Sequence, residues 1–155
     1  MPIHRLRSPA RGARRSSIVG GHERVLLAAV DLSPASEAVF DAALDIAHAE
    51  PDATIHLLHV RRPADAIPEA RAAETLADWA ALLPAEGAAI ELCAVEADDV
   101  PTAIVRAAAR LDADVILVGT HGRTGVARVV RSSVAERVAR TAGCSVFIVR
   151  KKRGG

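Results

Sequence analysis

A chain of 155 residues, half of them apolar and a quarter charged, has the size of one domain and can bury roughly two-thirds of its unfolded surface. No apolar run approaches the roughly 20 residues of a membrane span, and two cysteines are too few for a disulfide scaffold. The formal net charge of +1 hides an asymmetry: residues 1–22 hold five Arg and no acid, whereas residues 23–149 set 11 Arg against 19 Asp and Glu.

The leader, residues 1–22, lacks the apolar stretch of a secretory signal. Arg-rich, Ser-containing and acid-free, it has the composition of a transit peptide or a nucleic-acid arm, but no aromatics interleave with its arginines to stack bases, so nucleic acid is not an expected partner; without an apolar span, neither is a membrane. It reads as a disordered basic arm. The first apolar, branched run is "VLLAAV" at 25–30. After it Ser33 and Pro34 read as N-cap and first helical residue, and Phe40, Ala43, Leu44 and Ala47 share one helical face. The run "TIHLLHV" at 54–60 is followed by a second stripe, Leu76, Trp79, Ala80 and Leu83. "AIELCAV" at 89–95 precedes a third, Ile104, Ala108 and Leu111. "DVILV" at 114–118 leads through "GTHGRTGVARVVRSSV" into a fourth, Val130, Val134 and Val138, with Gly143 just past its end. "SVFIV" at 145–149 is the last run, and a basic tail closes at 152–155.

Strands alternating with helices of this length predict a single α/β domain, an open parallel sheet with helices on both faces. Of the common doubly wound orders the five-stranded one is 2-1-3-4-5 or a relative, with ligands at the carboxyl ends of the strands. The unusual residues gather at those ends: "VDLSPAS", "HVRRP" and "GTHGRTG".

Asp31 ends the first run, where a carboxylate can accept from a ribose hydroxyl or an adenine amino group, or simply cap the helix that follows. Gly119 and Gly122 let backbone N–H groups approach phosphate oxygens, and the helix beyond favours anions at its start. Ser133 with Glu136 also reads as a capping box, which competes with phosphate for the same hydroxyl. Arg123, Arg128 and Arg131 read as a solvated face from which one arginine is a candidate to reach a terminal phosphate. There is no G-x-x-x-x-G-K-[ST] and no G-x-G-x-x-G after the first run, so neither a P-loop nor a dinucleotide site is present. His48, His56, His59 and His121 make no metal spacing, and no serine has a legible His–Asp partner, so no catalytic set and no metal site are expected.

Together "VLLAAVDLSPAS", "IHLLHV", "DADVILVGTHGRTGVARVV" and "SSVAERVARTAGCSVFIVR" resemble the universal stress proteins of the UspA superfamily, bacterial type, over residues 23–151. The resemblance implies an adenine nucleotide alpha hydrolase-like sheet of order 3-2-1-4-5, with Asp31 and Gly119 facing one cleft. ATP-binding members carry Gly-x-x-Gly, nine residues, then Gly-Ser or Gly-Thr. That pattern falls on Gly119, Gly122, Ser132 and Ser133, with Arg123 and Val134 flanking it, while Asp31 matches the adenosine-binding Asp and Val60 the residue beside the base. Ser132 stands where the pattern has its third glycine, which implies weakened ATP binding, with or without Mg²⁺. The resemblance implies a cytoplasmic, nucleotide-dependent regulator of the stress response rather than an enzyme. The alternative is a family member without nucleotide that works as a dimeric interaction module. An apolar edge strand, "SVFIV", leads to the expectation of a homodimer through residues 145–150.

Overall fold

A computed structural model describes residues 4–6, 23–65, 68–82, 87–120 and 134–150. Along them run β1 (His4–Leu6), β2 (Val25–Val30), α1 (Pro34–Ala49), β3 (Thr54–Arg61), a 3-10 turn at Pro63–Asp65 and α2 (Glu69–Ala81). Then come β4 (Ala89–Glu96), α3 (Val100–Leu111), β5 (Val115–Gly119), α4 (Val134–Thr141) and β6 (Ser145–Val149). Each apolar run of the sequence is a strand, with ends within one residue of the pattern. Leu83 and Val130 of the expected stripes lie outside the described residues.

The sheet order is β1-β4-β3-β2-β5-β6, and every pairing from β4 to β6 is parallel. Counted over the five parallel strands this is 3-2-1-4-5, the order implied by the resemblance and not the 2-1-3-4-5 of the commoner winding. A sixth strand joins them. His4–Leu6, part of the leader expected as a disordered arm, pairs antiparallel with Leu92–Ala94. The physical reason lies in β4, the outer parallel strand, whose outward N–H and C=O groups accept a strand that no local pattern announces.

Alternate residues of the parallel strands feed two cores. Leu26, Ala28, Ile55, Leu57, Leu92 and Leu117 pack under Val39, Phe40, Leu44 and Leu76 of α1 and α2. Leu27, Leu58, Cys93, Ile116 and Val118 pack under Ile104, Ala107, Leu111, Ala135 and Val138 of α3 and α4. Two covered faces explain why β3 is buried at six successive positions and carries no polar alternation. Phe40 and Trp79 meet edge to face with centroids 6.3 Å apart, which joins α1 to α2.

Polar contacts fasten the amino ends of the strands. Val25 N–H donates to Asp114 Oδ2 at 2.8 Å, and Asp114 N–H returns to the Val25 carbonyl at 2.9 Å. Thr54 N–H bonds the Arg24 carbonyl, while the Arg24 guanidinium forks onto Glu50 at 2.8 and 3.1 Å and holds that carboxyl below its ordinary range. With this end occupied by its own contacts, the open chemistry lies at the carboxyl end.

Candidate functional site

Winding reverses at β2, whose neighbours are β3 on one side and β5 on the other. The loop after β2 and the end of β5 therefore open one crevice, the place where open α/β sheets take ligands. Ala29 is the register partner of Val118. Asp31 stands two residues beyond the first and Gly119 one residue beyond the second, so the fold brings these two sequence-predicted positions to one strand junction. Val60 stands one residue past His59, the partner of Val30, and packs partly buried against the core under α3 and α4.

Asp31 is held by its own loop. Its Oδ1 accepts the Ser33 N–H at 3.0 Å and the Ser36 hydroxyl at 2.7 Å, and its N–H donates to Ser36 Oγ at 3.0 Å. The first of these bonds closes an Asx turn in which Leu32 adopts φ +63°, a left-handed backbone uncommon for a leucine. The Leu32 side chain packs partly buried against the core beneath α1, which offsets that strain. Ser36 N–H bonds the Ser33 carbonyl at 2.9 Å to start α1.

Ser33 sits at the N-cap position as expected, with Pro34 in the first turn, but its hydroxyl makes no capping bond. The carboxylate of Asp31 has taken over the polar bonding of the turn, and Ser33 Oγ is buried with no hydrogen-bond partner among the described residues. Sequence reasoning missed Ser36 and Leu32. The five-residue spacing from Asp31 to Ser36 was the available signal for the first; a positive φ at leucine leaves none.

The neighbouring histidines are structural. His59, buried, donates from Nδ1 to the Val30 carbonyl at 3.0 Å and so ties β3 to the strand that carries Asp31. His56, also buried, has Nδ1 3.6 Å from Oε2 of its register partner Glu91 and 3.9 Å from Cys93 Sγ. Arg61 and Glu96, partners at the carboxyl ends of β3 and β4, form an ion pair at the rim. No cluster of three or more metal-ligating side chains occurs among the described residues. None of their helices is long and apolar enough to cross a membrane.

Of the remaining predicted positions, Val134 opens α4 and is partly exposed. Gly122, Arg123, Ser132 and Ser133 lie outside the described residues, as does His121. The helix that follows them is anchored independently. Arg137 forks onto the Asp99 carboxylate at 2.7 and 3.0 Å, and Thr102 donates to the same group, which holds Asp99 below the ordinary carboxylate range. A separate concavity of about 270 Å³ runs along α3 between Val95, Thr102, Arg106 and Arg110; neither Asp31, Val60 nor Gly119 lines it.

This arrangement has relatives. Residues 23–150 match the model of the universal stress protein family. A universal stress protein of Methanocaldococcus jannaschii is 46% identical over 50 residues, which are 32% of this chain and only 29% of that protein's length. Among solved structures, a universal stress protein in complex with cAMP is 26% identical with a TM-score of 0.65, over 84% of this chain and 98% of the other. A protein of the same family from Burkholderia pseudomallei is 28% identical with a TM-score of 0.60, over 82% and 96%. With the family's model matched along nearly all of the acidic body, and the parallel strands in the order that its sequence motifs imply, this chain belongs to the universal stress protein family.

Proposed function

We propose that this protein binds an adenine nucleotide, ATP with or without Mg²⁺, and acts as a nucleotide-dependent regulator of the stress response in the cytoplasm. The observation that carries the reading is the fixing of Asp31 by Ser33 and Ser36 at the winding reversal, beside the end of β5 where Gly119 stands. A carboxylate immobilised before any ligand arrives loses little further freedom on binding, which favours affinity. The likeness to a universal stress protein in complex with cAMP supports the same ligand class. The protein is read as a binder and at most a slow hydrolase of its ligand. In the loop, Gly119 and Gly122 admit phosphate oxygens to the backbone, Ser133 and Arg123 supply donors, and Ser132 puts a CH₂OH where ATP-binding members have hydrogen.

Native mass spectrometry of the freshly purified protein tests this reading. The expected result is a mass increment of an adenine nucleotide, or its appearance on addition of ATP and Mg²⁺. An apo spectrum that neither addition shifts overturns it.

A second reading has its own observation. Phe147 and Ile148 on the outer strand β6 are 49% and 48% exposed. Two such side chains on an edge favour an interaction module, with residues 145–150 pairing across a two-fold axis with those of a second copy. This second reading requires no nucleotide, and absence of nucleotide binding selects it over the first.

A further inference from the structure

The opposite edge of the sheet carries the leader. His4, Arg5 and Leu6 stand opposite Ala94, Cys93 and Leu92, and theirs is the one antiparallel ladder among the described strands. β4 runs over eight residues, Ala89–Glu96, of which this ladder covers three. Leu6 and Val25 are separated by 18 residues of chain. That length spans about 60 Å when extended, whereas three strand spacings from β1 to β2 amount to about 14 Å. Nothing in the reach of the chain therefore holds β1 in place; its short ladder does, helped by attraction between five leader arginines and a body of formal charge −8.

We propose that the outer edge of β4 is a strand-docking site that the leader occupies in its own chain, and that the same edge of a second copy takes the site once the leader is displaced. The edge already accepts an antiparallel strand, and two copies related by a two-fold axis present their β4 edges antiparallel. A pairing centred on Cys93 sets Glu91 opposite Val95 and Ile90 opposite Glu96, so no two acids face each other and the ladder reaches beyond three residues. The leader wins in the intact chain because it is tethered and of opposite charge, while a second acidic body is neither. Neither nucleotide binding nor the β6 edge enters this inference, since the quantity to be measured is growth beyond the size of the intact protein.

The test is sedimentation velocity on the full-length chain and on two full-length variants, Arg5→Pro/Leu6→Pro and His4→Gly/Arg5→Gly/Leu6→Gly. Adjacent residues of an antiparallel ladder alternate between bonded and non-bonded positions, so one of the two prolines removes a ladder N–H whichever register face it meets. Circular dichroism first establishes that each variant keeps the parent's helix content. Both variants are expected to grow at tens of micromolar, to about twice the parent's mass if the parent is a monomer and to larger, open-ended species if it is already paired through β6, because each such dimer presents two β4 edges. An excess of a synthetic peptide of residues 1–10 should return them to the parent's size. Unchanged sizes in both variants overturn the proposal, and so does growth that the peptide does not reverse.

Discussion

The Ser36 hydroxyl donates to Asp31 Oδ1 at 2.7 Å and in turn accepts the Asp31 N–H at 3.0 Å. One buried hydroxyl thereby fixes both the backbone and the side chain of the residue that the proposed ligand would meet. It does so from the first turn of α1, so that helix and strand end move together.

Ser36→Ala removes both bonds at once at a buried position. The expected loss of stability is about 1–2 kcal/mol in urea unfolding. Calorimetry with ATP should show weaker binding in the same variant. A variant that loses stability and keeps the parent's affinity would detach Ser36 from the site.

Ser132→Gly restores the family pattern in the loop. A side chain at a position built for glycine costs on the order of 1 kcal/mol, so the glycine variant should bind ATP about fivefold more tightly than the parent. The two proteins are compared side by side by calorimetry. Equal affinities would mean that the hydroxyl is tolerated, and absence of binding in both would favour the interaction module.

The Asp99–Arg137 fork makes a pH prediction. Asp99 titrates below its ordinary value because Arg137, and after it Thr102, bond the carboxylate. A depressed folded pKa contributes stability that is complete above the unfolded value of about 3.9 and fades as pH falls through the folded one. Arg137→Ala should accordingly melt below the parent near neutral pH, and the gap should narrow as pH is lowered past about 4. A gap that stays constant through that range would show that the ion pair contributes nothing through Asp99.

Phe147→Asp places a charge on the exposed edge strand β6. If residues 145–150 join two copies, the variant should sediment as a monomer at micromolar concentration where the parent is a dimer. A parent that is itself monomeric, or a variant that stays dimeric, removes β6 as the interface.

Helix ends supply a contrast between two positions. Asp112 closes α3 at φ +53° with Ala113 N–H bonded to the Ala108 carbonyl, a left-handed end that glycine adopts without steric cost. Asp112→Gly should therefore stabilise by about 0.5 kcal/mol. Gly143, past the end of α4, needs no such freedom: its φ is not positive and a Cβ there meets nothing within 4 Å. Gly143→Ala should be neutral or slightly stabilising, and thermal melting of both variants checks the pair.

Much of this molecule is local and so was legible along the chain. Apolar runs of five to seven residues and stripes at helical spacing are properties of neighbouring residues, and they located the five parallel strands and four helices. The motif around Gly119 and Gly122, with Asp31 at the end of the first run, likewise pointed to one strand junction, because ligands gather at carboxyl ends in any sheet so wound. What pairs with what is non-local. Spacing alone left the strand order open, and composition alone made the leader an unstructured arm, because the edge that His4–Leu6 meets is formed by residues almost ninety positions away. The left-handed Leu32, the Asp31–Ser36 exchange of bonds and the His59 contact with the Val30 carbonyl were equally out of reach. Each depends on a turn or register that exists only after β2, α1 and β3 have packed, and packing is where a leucine can be held in a backbone conformation its own preferences oppose.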